Sequence, residues 1–250
     1  MDLGLSGRKV IVSGGSRGIG RAIVECFLVE GATVAFCARG EEGVRSAEQA
    51  LGDKAFGSAV DVADPAAVKD WIEACAERMG GVDIVVPNVS ALAVGGELET
   101  WRKAFDIDLL GTVSMVGAAL PYLKRSDAAS VVLISSVSGR ESDMFGEPYG
   151  ALKAALIHYG KTLSNRHAAD RIRVNTVSPG NVYFSDGVWG QIEREQPETF
   201  ATCLATNPFG RMARPDEIAK AVVFIASPAS SFTTGADMLV DGGLTRGVQF

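Results

Sequence analysis

Seven short apolar runs, each set off from the next by a helical or glycine-rich stretch, constrain the fold of this chain more than any other feature. The runs are Val10–Val12, Thr33–Phe36, Ala55–Val60, Asp83–Val86, Ser130–Ser135, Ile172–Val177 and Met238–Val240. Most are continuous rather than alternating, which is how a strand reads when both of its faces are covered. The intervening stretches have helical spacing. Ile23, Val24, Phe27 and Leu28 share one face, Glu42–Leu51 forms a second helix, and Trp101–Lys124, Pro148–Ala168 and Arg214–Ala226 follow. Asp64-Pro65 reads as an N-cap and first turn for a helix that carries Val68, Trp71, Ile72 and Cys75 on one side. This alternation predicts an α/β fold: a doubly wound, parallel, seven-stranded sheet with helices on both faces. The 250 residues suit one large α/β domain or two small ones, and no linker or repeat divides them, so one domain over 1–250 is expected. The longest stretch without a pattern, roughly Ser178–Ala213, reads as irregular. Its position past the carboxyl end of a strand predicts a substrate lid over about 181–213.

Composition removes several classes of function. Apolar residues make up 47% of the chain and charged ones 22%, which excludes a disordered chain. Lys+Arg 24 against Asp+Glu 30 gives a net charge of −6, the wrong sign for a nucleic-acid surface. The longest uncharged stretch, Ala221–Ala236, is interrupted by Pro228 and is too short to span a bilayer, so no membrane partner is expected. Met1–Gly7 lacks the basic start and apolar core of a secretory signal, and a cytoplasmic location is the expectation. Cys26, Cys37, Cys75 and Cys203 contain no Cys-x-x-Cys pair and read as reduced core residues. His158 and His167 have no partner at ligand spacing, so no metal site is expected.

Gly14-Gly15-Ser16-Arg17-Gly18-Ile19-Gly20 lies between the first strand and the first helix. Glycines there permit a tight turn, and the helix start offers N–H groups and partial positive charge to a pyrophosphate. The spacing is Gly-x-x-x-Gly-x-Gly. Together with Tyr149-Gly150-Ala151-Leu152-Lys153 and Ser178-Pro179-Gly180, the stretch Ser13–Gly20 resembles the short-chain dehydrogenase/reductase family, and 3-oxoacyl-[acyl-carrier-protein] reductases in particular. The resemblance covers essentially the whole chain.

It implies a Rossmann-type fold and a hydride transfer between a nicotinamide and a ketone or secondary alcohol. In the family pattern Tyr149 moves the proton, Lys153 holds the nicotinamide ribose and favours the phenolate, and Ser136 bonds the reacting oxygen. Tyr149 and Lys153 are four apart and so share a helix face. Ser135 or Ser138 could replace Ser136, although the spacing favours Ser136. The pattern also places Gly14, Ser16, Gly18, Ile19, Gly20, Asn88, Pro179 and Gly180 at the cofactor. Asp61 and Val62 match its adenine-contacting pair, and Val182 contributes through its backbone.

The end of the second strand reads Phe36-Cys37-Ala38-Arg39, with no acid to bond a ribose 2′-hydroxyl. Arg39 and Arg17 can instead pair with a 2′-phosphate, so NADP(H) is the expected cofactor and NAD(H) the alternative. Two solvated arginines are the other reading of that pair.

The chain departs from the pattern where Asn-Asn-Ala-Gly becomes Pro87-Asn88-Val89-Ser90, placing Val89 and Ser90 beside the nicotinamide ribose. It departs again where the catalytic Asn becomes Asp108. Asp108 could keep a water through its carbonyl, pair with Lys153, or be an ordinary helix carboxylate. Phe184 stands where a Thr often contacts the cofactor, with Ser185 as a substitute.

Tyr183, Phe184, Trp189, Phe200 and Phe209 suggest an apolar substrate wall or simple lid packing, with Ala91–Gly96 and Met144–Phe145 on the other sides. Arg140 and Arg211 are candidates to read a carboxylate or an acyl-carrier phosphate. The expected function is an NADP(H)-dependent ketoreductase of an apolar substrate. The alternatives are an NAD(H)-dependent alcohol dehydrogenase and a non-catalytic nucleotide-binding scaffold or sensor. The family pattern further implies a homotetramer, or a homodimer, built through the two long helices.

Overall fold

A computed structural model describes residues 1–142 and 147–248. Seven strands form one sheet: β1 (Lys9–Ser13), β2 (Thr33–Ala38), β3 (Ala55–Ala59), β4 (Ile84–Val86), β5 (Ser130–Ile134), β6 (Arg173–Pro179) and β7 (Asp237–Val240). Their order is β3-β2-β1-β4-β5-β6-β7, and every pair is parallel. The order reverses between β1 and β4, the switch point at whose carboxyl edge open α/β sheets place their ligands. The helices are α1 (Gly18–Val29), α2 (Glu41–Leu51), α3 (Pro65–Met79), α4 (Leu98–Ala104), α5 (Gly111–Leu123), α6 (Glu147–His167), α7 (Val188–Glu195), α8 (Pro197–Ala205) and α9 (Pro215–Ala226).

The two-residue period of the strands divides the core. Val10, Val12 and Phe36 pack with Ile23 and Phe27 of α1 and Ile218 and Val222 of α9 on one face. Ile11, Val85 and Leu133 pack with Ile72 of α3 and Met115 and Val116 of α5 on the other. Burying one such side chain contributes roughly 1.5–3 kcal/mol. Both faces are therefore covered, which is why the strands lack polar alternation. The start of α3 follows the sequence closely: Asp64 accepts from the N–H groups of Ala66 and Ala67 at 2.9 and 3.1 Å. Arg173 at the start of β6 donates to the carbonyls of Ile225, Ala226 and Ser227, tying the end of α9 to the sheet. No disulfide joins the four cysteines, and burial pushes the Cys37 and Cys75 thiols up to about 12. Among the described residues no group of side chains could hold a metal.

Two elements differ from the sequence expectation. The segment read as irregular over Ser178–Ala213 contains α7 and α8. Its ends meet as a parallel bridge between Val182 and Ala213, so it is a folded flap closed at its root. The helix expected over Trp101–Lys124 begins at Leu98 and is interrupted by a π-helical turn, Phe105–Leu110. Such turns re-aim side chains and cluster at functional sites.

Candidate active site

The carboxyl edge of the sheet opens into a cleft of about 460 Å³. The glycine loop lines it through Gly14, Ser16, Arg17, Gly18, Ile19 and Gly20. Arg39 and Val62 reach it from the ends of β2 and β3, and Asn88, Val89 and Ser90 from beyond β4. Ser136, Tyr149, Lys153, Pro179, Gly180 and Val182 complete the set that the sequence brought forward. Asp61 stands outside the cleft: it is exposed, and its carboxylate accepts from the Ala63 N–H at 3.0 Å. Val60, which the sequence reading did not single out, lines the cleft with Val62. Asn181 was also missed, although it lies between two predicted residues.

The glycine loop fits a dinucleotide. No side chain caps α1 and no acid occupies its first turn, so its first N–H groups are left for a ligand anion. A Cβ on Gly20 would fall on the Gly14 carbonyl oxygen and 2.5 Å from Asn88 Nδ2. That close approach is held by Asn88, which donates from Nδ2 to the Ser13 carbonyl at 3.1 Å and from its N–H to Ser13 Oγ at 2.9 Å.

The flap rests on this loop. The Phe184 ring lies 2.6 Å from where a Cβ on Gly18 would stand, and Arg17 donates to the Asp186 carbonyl at 2.9 Å. In this structure the Arg17 guanidinium therefore holds the flap. Arg39 is exposed and makes no ion pair or hydrogen bond among the described residues.

Ser136 opens a short 3₁₀ turn, Val137–Gly139, and its Oγ accepts from the Ser138 N–H at 3.2 Å. Ser135 Oγ instead donates to the Lys153 carbonyl at 2.8 Å, so that hydroxyl binds the serine turn to α6. A Cβ on Gly139 would stand 2.7 Å from both the Ala154 nitrogen and the Lys153 carbonyl carbon. Gly139→Ala is expected to push the turn off α6 and lower kcat by about 10²-fold, since a displacement of roughly 1 Å suffices for that. Dinucleotide affinity, measured by fluorescence titration, should be unchanged.

Lys153 is 2% exposed. Its Nζ donates to the Ile134 carbonyl at 3.1 Å, lies 3.3 Å from Asp108 Oδ1 and stands 5.7 Å from the centroid of the Tyr149 ring. Asp108 lies on the π-turn, 1% exposed, behind Lys153 rather than in the cleft wall. Its Oδ2 accepts from the Ala91 N–H at 2.8 Å, and its carbonyl accepts from Thr112 Oγ1 at 2.7 Å. Oδ1 has no hydrogen bond of good geometry, so its contact with Lys153 is an ion pair. Of the readings open for Asp108, the structure shows pairing with Lys153.

On the substrate side the cleft presents Leu92, Val94, Val137, Val188 and Trp189. The five flap aromatics divide. Phe184 and Trp189 line the cleft, whereas Tyr183 packs edge-on against Phe200 and donates to Glu193, and Phe209 is largely exposed. Neither arginine suggested as an anion reader lines the cleft, and each has a carboxylate partner. Arg140 pairs with Asp237 at 2.6 Å. Arg211 forks onto both oxygens of Glu217 at 2.7 Å and holds that carboxyl down to about 2. Met144–Phe145 lies outside the described residues.

A doubly wound parallel sheet with an uncapped glycine-rich helix start, beside a serine, tyrosine and buried lysine in one cleft, defines an oxidoreductase of the dinucleotide-binding class. The sequence profile described as Enoyl-(Acyl carrier protein) reductase matches residues 14–245. The chain is 38% identical over 255 residues to isoepoxydon dehydrogenase patN of Aspergillus clavatus, covering 98% of each chain. It is 35% identical to the L-fucose dehydrogenase of Mus musculus, over 97% of this chain and 90% of that one. The crystal structure of L-sorbose reductase from Gluconobacter frateurii, complexed with NADPH and L-sorbose, superposes with a TM-score of 0.92 at 27% identity, covering 99% of this chain and 100% of that one. The chain belongs to the short-chain dehydrogenase/reductase family, and it is an oxidoreductase.

Proposed function

We propose that this protein is an NADP(H)-dependent reductase of an uncharged ketone, or the dehydrogenase of the corresponding secondary alcohol. The observation that carries the substrate reading is the placement of charge. Among the described residues the only charged groups lining the cleft are Arg17, Arg39 and Lys153, all on the cofactor or catalytic side. Neither Arg140 nor Arg211 lines the cleft, so among the described residues its substrate side presents no cation to a carboxylate or a carrier phosphate. L-fucose and L-sorbose, in the names of two relatives, are uncharged as well. Leu92, Val94, Val188 and Trp189 favour a substrate with an apolar body.

A nicotinamide dinucleotide bound in the cleft would supply or accept the hydride. Gly18, Ile19 and Gly20 would hold its pyrophosphate through backbone N–H groups, and Val60 and Val62 would flank its adenine end. Tyr149 exchanges a proton with the substrate oxygen. Lys153 stabilises the phenolate and reaches the ribose, and Ser136 donates to the same oxygen as charge develops there. Asp108 acts only through Lys153 and the neighbouring backbone, which makes it a positioning residue.

NADP(H) preference is supported by the free Arg39, by the lack of an acid at the end of β2, and by the NADPH bound to L-sorbose reductase. A charge-assisted contact to phosphate contributes roughly 1.5–3 kcal/mol, so Arg39→Ala should weaken NADPH binding by about 10- to 100-fold. NADH binding should be unaffected, and calorimetry with both nucleotides checks this. Equal losses for the two would remove the phosphate reading.

A panel of cyclic ketones, ketoses and 3-oxoacyl thioesters, followed by nicotinamide absorbance, tests the substrate class. A carrier-bound thioester as the best substrate would overturn the uncharged assignment. We also propose that the exposed stripe of Leu98, Phe105, Leu110 and Val113 on the long helix covers a second copy, giving a homodimer or homotetramer. Light scattering decides that.

A further inference from the structure

We propose that Asp108 is a positioning residue that couples Lys153 to the cleft wall formed by residues 89–94. The inference rests on the reading above, in which Lys153 serves the reducing centre. The two carboxylate oxygens of Asp108 go to different elements: Oδ2 to the Ala91 N–H at 2.8 Å, and Oδ1 to Lys153 Nζ at 3.3 Å. The wall segment is anchored at its start by Ser13 Oγ, which accepts from the N–H groups of Asn88 and Val89. Its next anchor outside the segment is Asp108. Between the two lies Ser90, and just beyond stands Leu92 with φ 46°, its N–H donating to Ser90 Oγ at 3.1 Å. Ser90, Leu92 and Val94 all face the cleft.

An ionised carboxylate can accept from the Ala91 N–H on one oxygen and face the ammonium with the other, whereas an asparagine side chain has one accepting oxygen and one donating nitrogen. Asparagine could serve Ala91 or Lys153, but not both. The two departures of this chain from its family pattern, Pro87-Asn88-Val89-Ser90 and Asp108, thus meet close to one hydrogen bond. The carboxylate sets the height of the wall and the place of the ammonium together.

Asp108→Ala and the isosteric Asp108→Asn test this in the full chain. The readouts are steady-state kinetics with NADPH and the best ketone of the panel, together with amide hydrogen exchange at Ala91. Losing an acceptor for a buried donor costs enough to change a rate or affinity by about tenfold or more. In Asp108→Ala the Ala91 amide should exchange about tenfold faster, KM for the ketone should rise and kcat should fall, each by about tenfold. Asp108→Asn should split these effects, retaining either the Ala91 protection and KM or the kcat. Unchanged exchange at Ala91 in Asp108→Ala would overturn the coupling. So would a fall in kcat that only follows the number of folded sites titrated by NADPH, with KM unmoved. A wild-type chain that turns over no ketone counts against the reductase reading, and the exchange measurement still decides the coupling.

Discussion

Tyr149→Phe is expected to lower kcat by about 10²–10⁴-fold, the range over which a positioned acid or base acts. The phenol is the only acidic hydroxyl of its kind in the cleft among the described residues, and it stands on the turn of α6 next to the buried ammonium. The ring remains in the variant, so the packing of α6 against the serine turn survives. NADPH binding by fluorescence titration should match wild type, and Tm should fall by no more than a few degrees for the loss of one partly buried hydroxyl. Loss of turnover with retained binding separates proton transfer from cofactor positioning. A variant that keeps full turnover would remove Tyr149 from the chemistry, and with it the assignment of the cleft.

The sheet was legible because its inner strands are buried on both faces and therefore read as unbroken apolar runs, while β3 and β7 at its edges are only partly buried. Val10-Ile11-Val12 sends alternate side chains to opposite cores, and none of them meets water. The glycine loop was legible because close approach at Gly20 admits no side chain. The flap helices were not. Val188–Glu195 and Pro197–Ala205 are too short to hold a helix without tertiary contacts, although Pro197 at a first turn was a usable signal. The π-turn at Phe105–Leu110 has no local sequence mark. Arg17 was expected at a phosphate and is found on Asp186, a contact across 169 positions that no local pattern reveals. Arg140 and Arg211 were open for the same reason: the direction of a long side chain depends on carboxylates supplied by distant or later elements.

Lys153→Met should destabilise the fold as well as end catalysis, and the two effects can be separated. Lys153 and Asp108 are 2% and 1% exposed. Removing one member of a buried pair leaves the other charge without compensation, at a cost of about 3–5 kcal/mol. For a chain of this size that corresponds to a fall in Tm on the order of 10 °C. Replacing both members is close to neutral in comparable cases. Lys153→Met/Asp108→Asn should therefore recover most of the lost Tm, because the asparagine oxygen can still accept from the Ala91 N–H while no buried charge is stranded. Turnover should stay lost in the double variant, since no ammonium remains beside Tyr149. Calorimetry of wild type, both single variants and the double variant gives the coupling between the two sites directly. A double variant no more stable than Lys153→Met would show that Asp108 does not depend on the ammonium, and that the pair is a neighbourhood rather than an interaction.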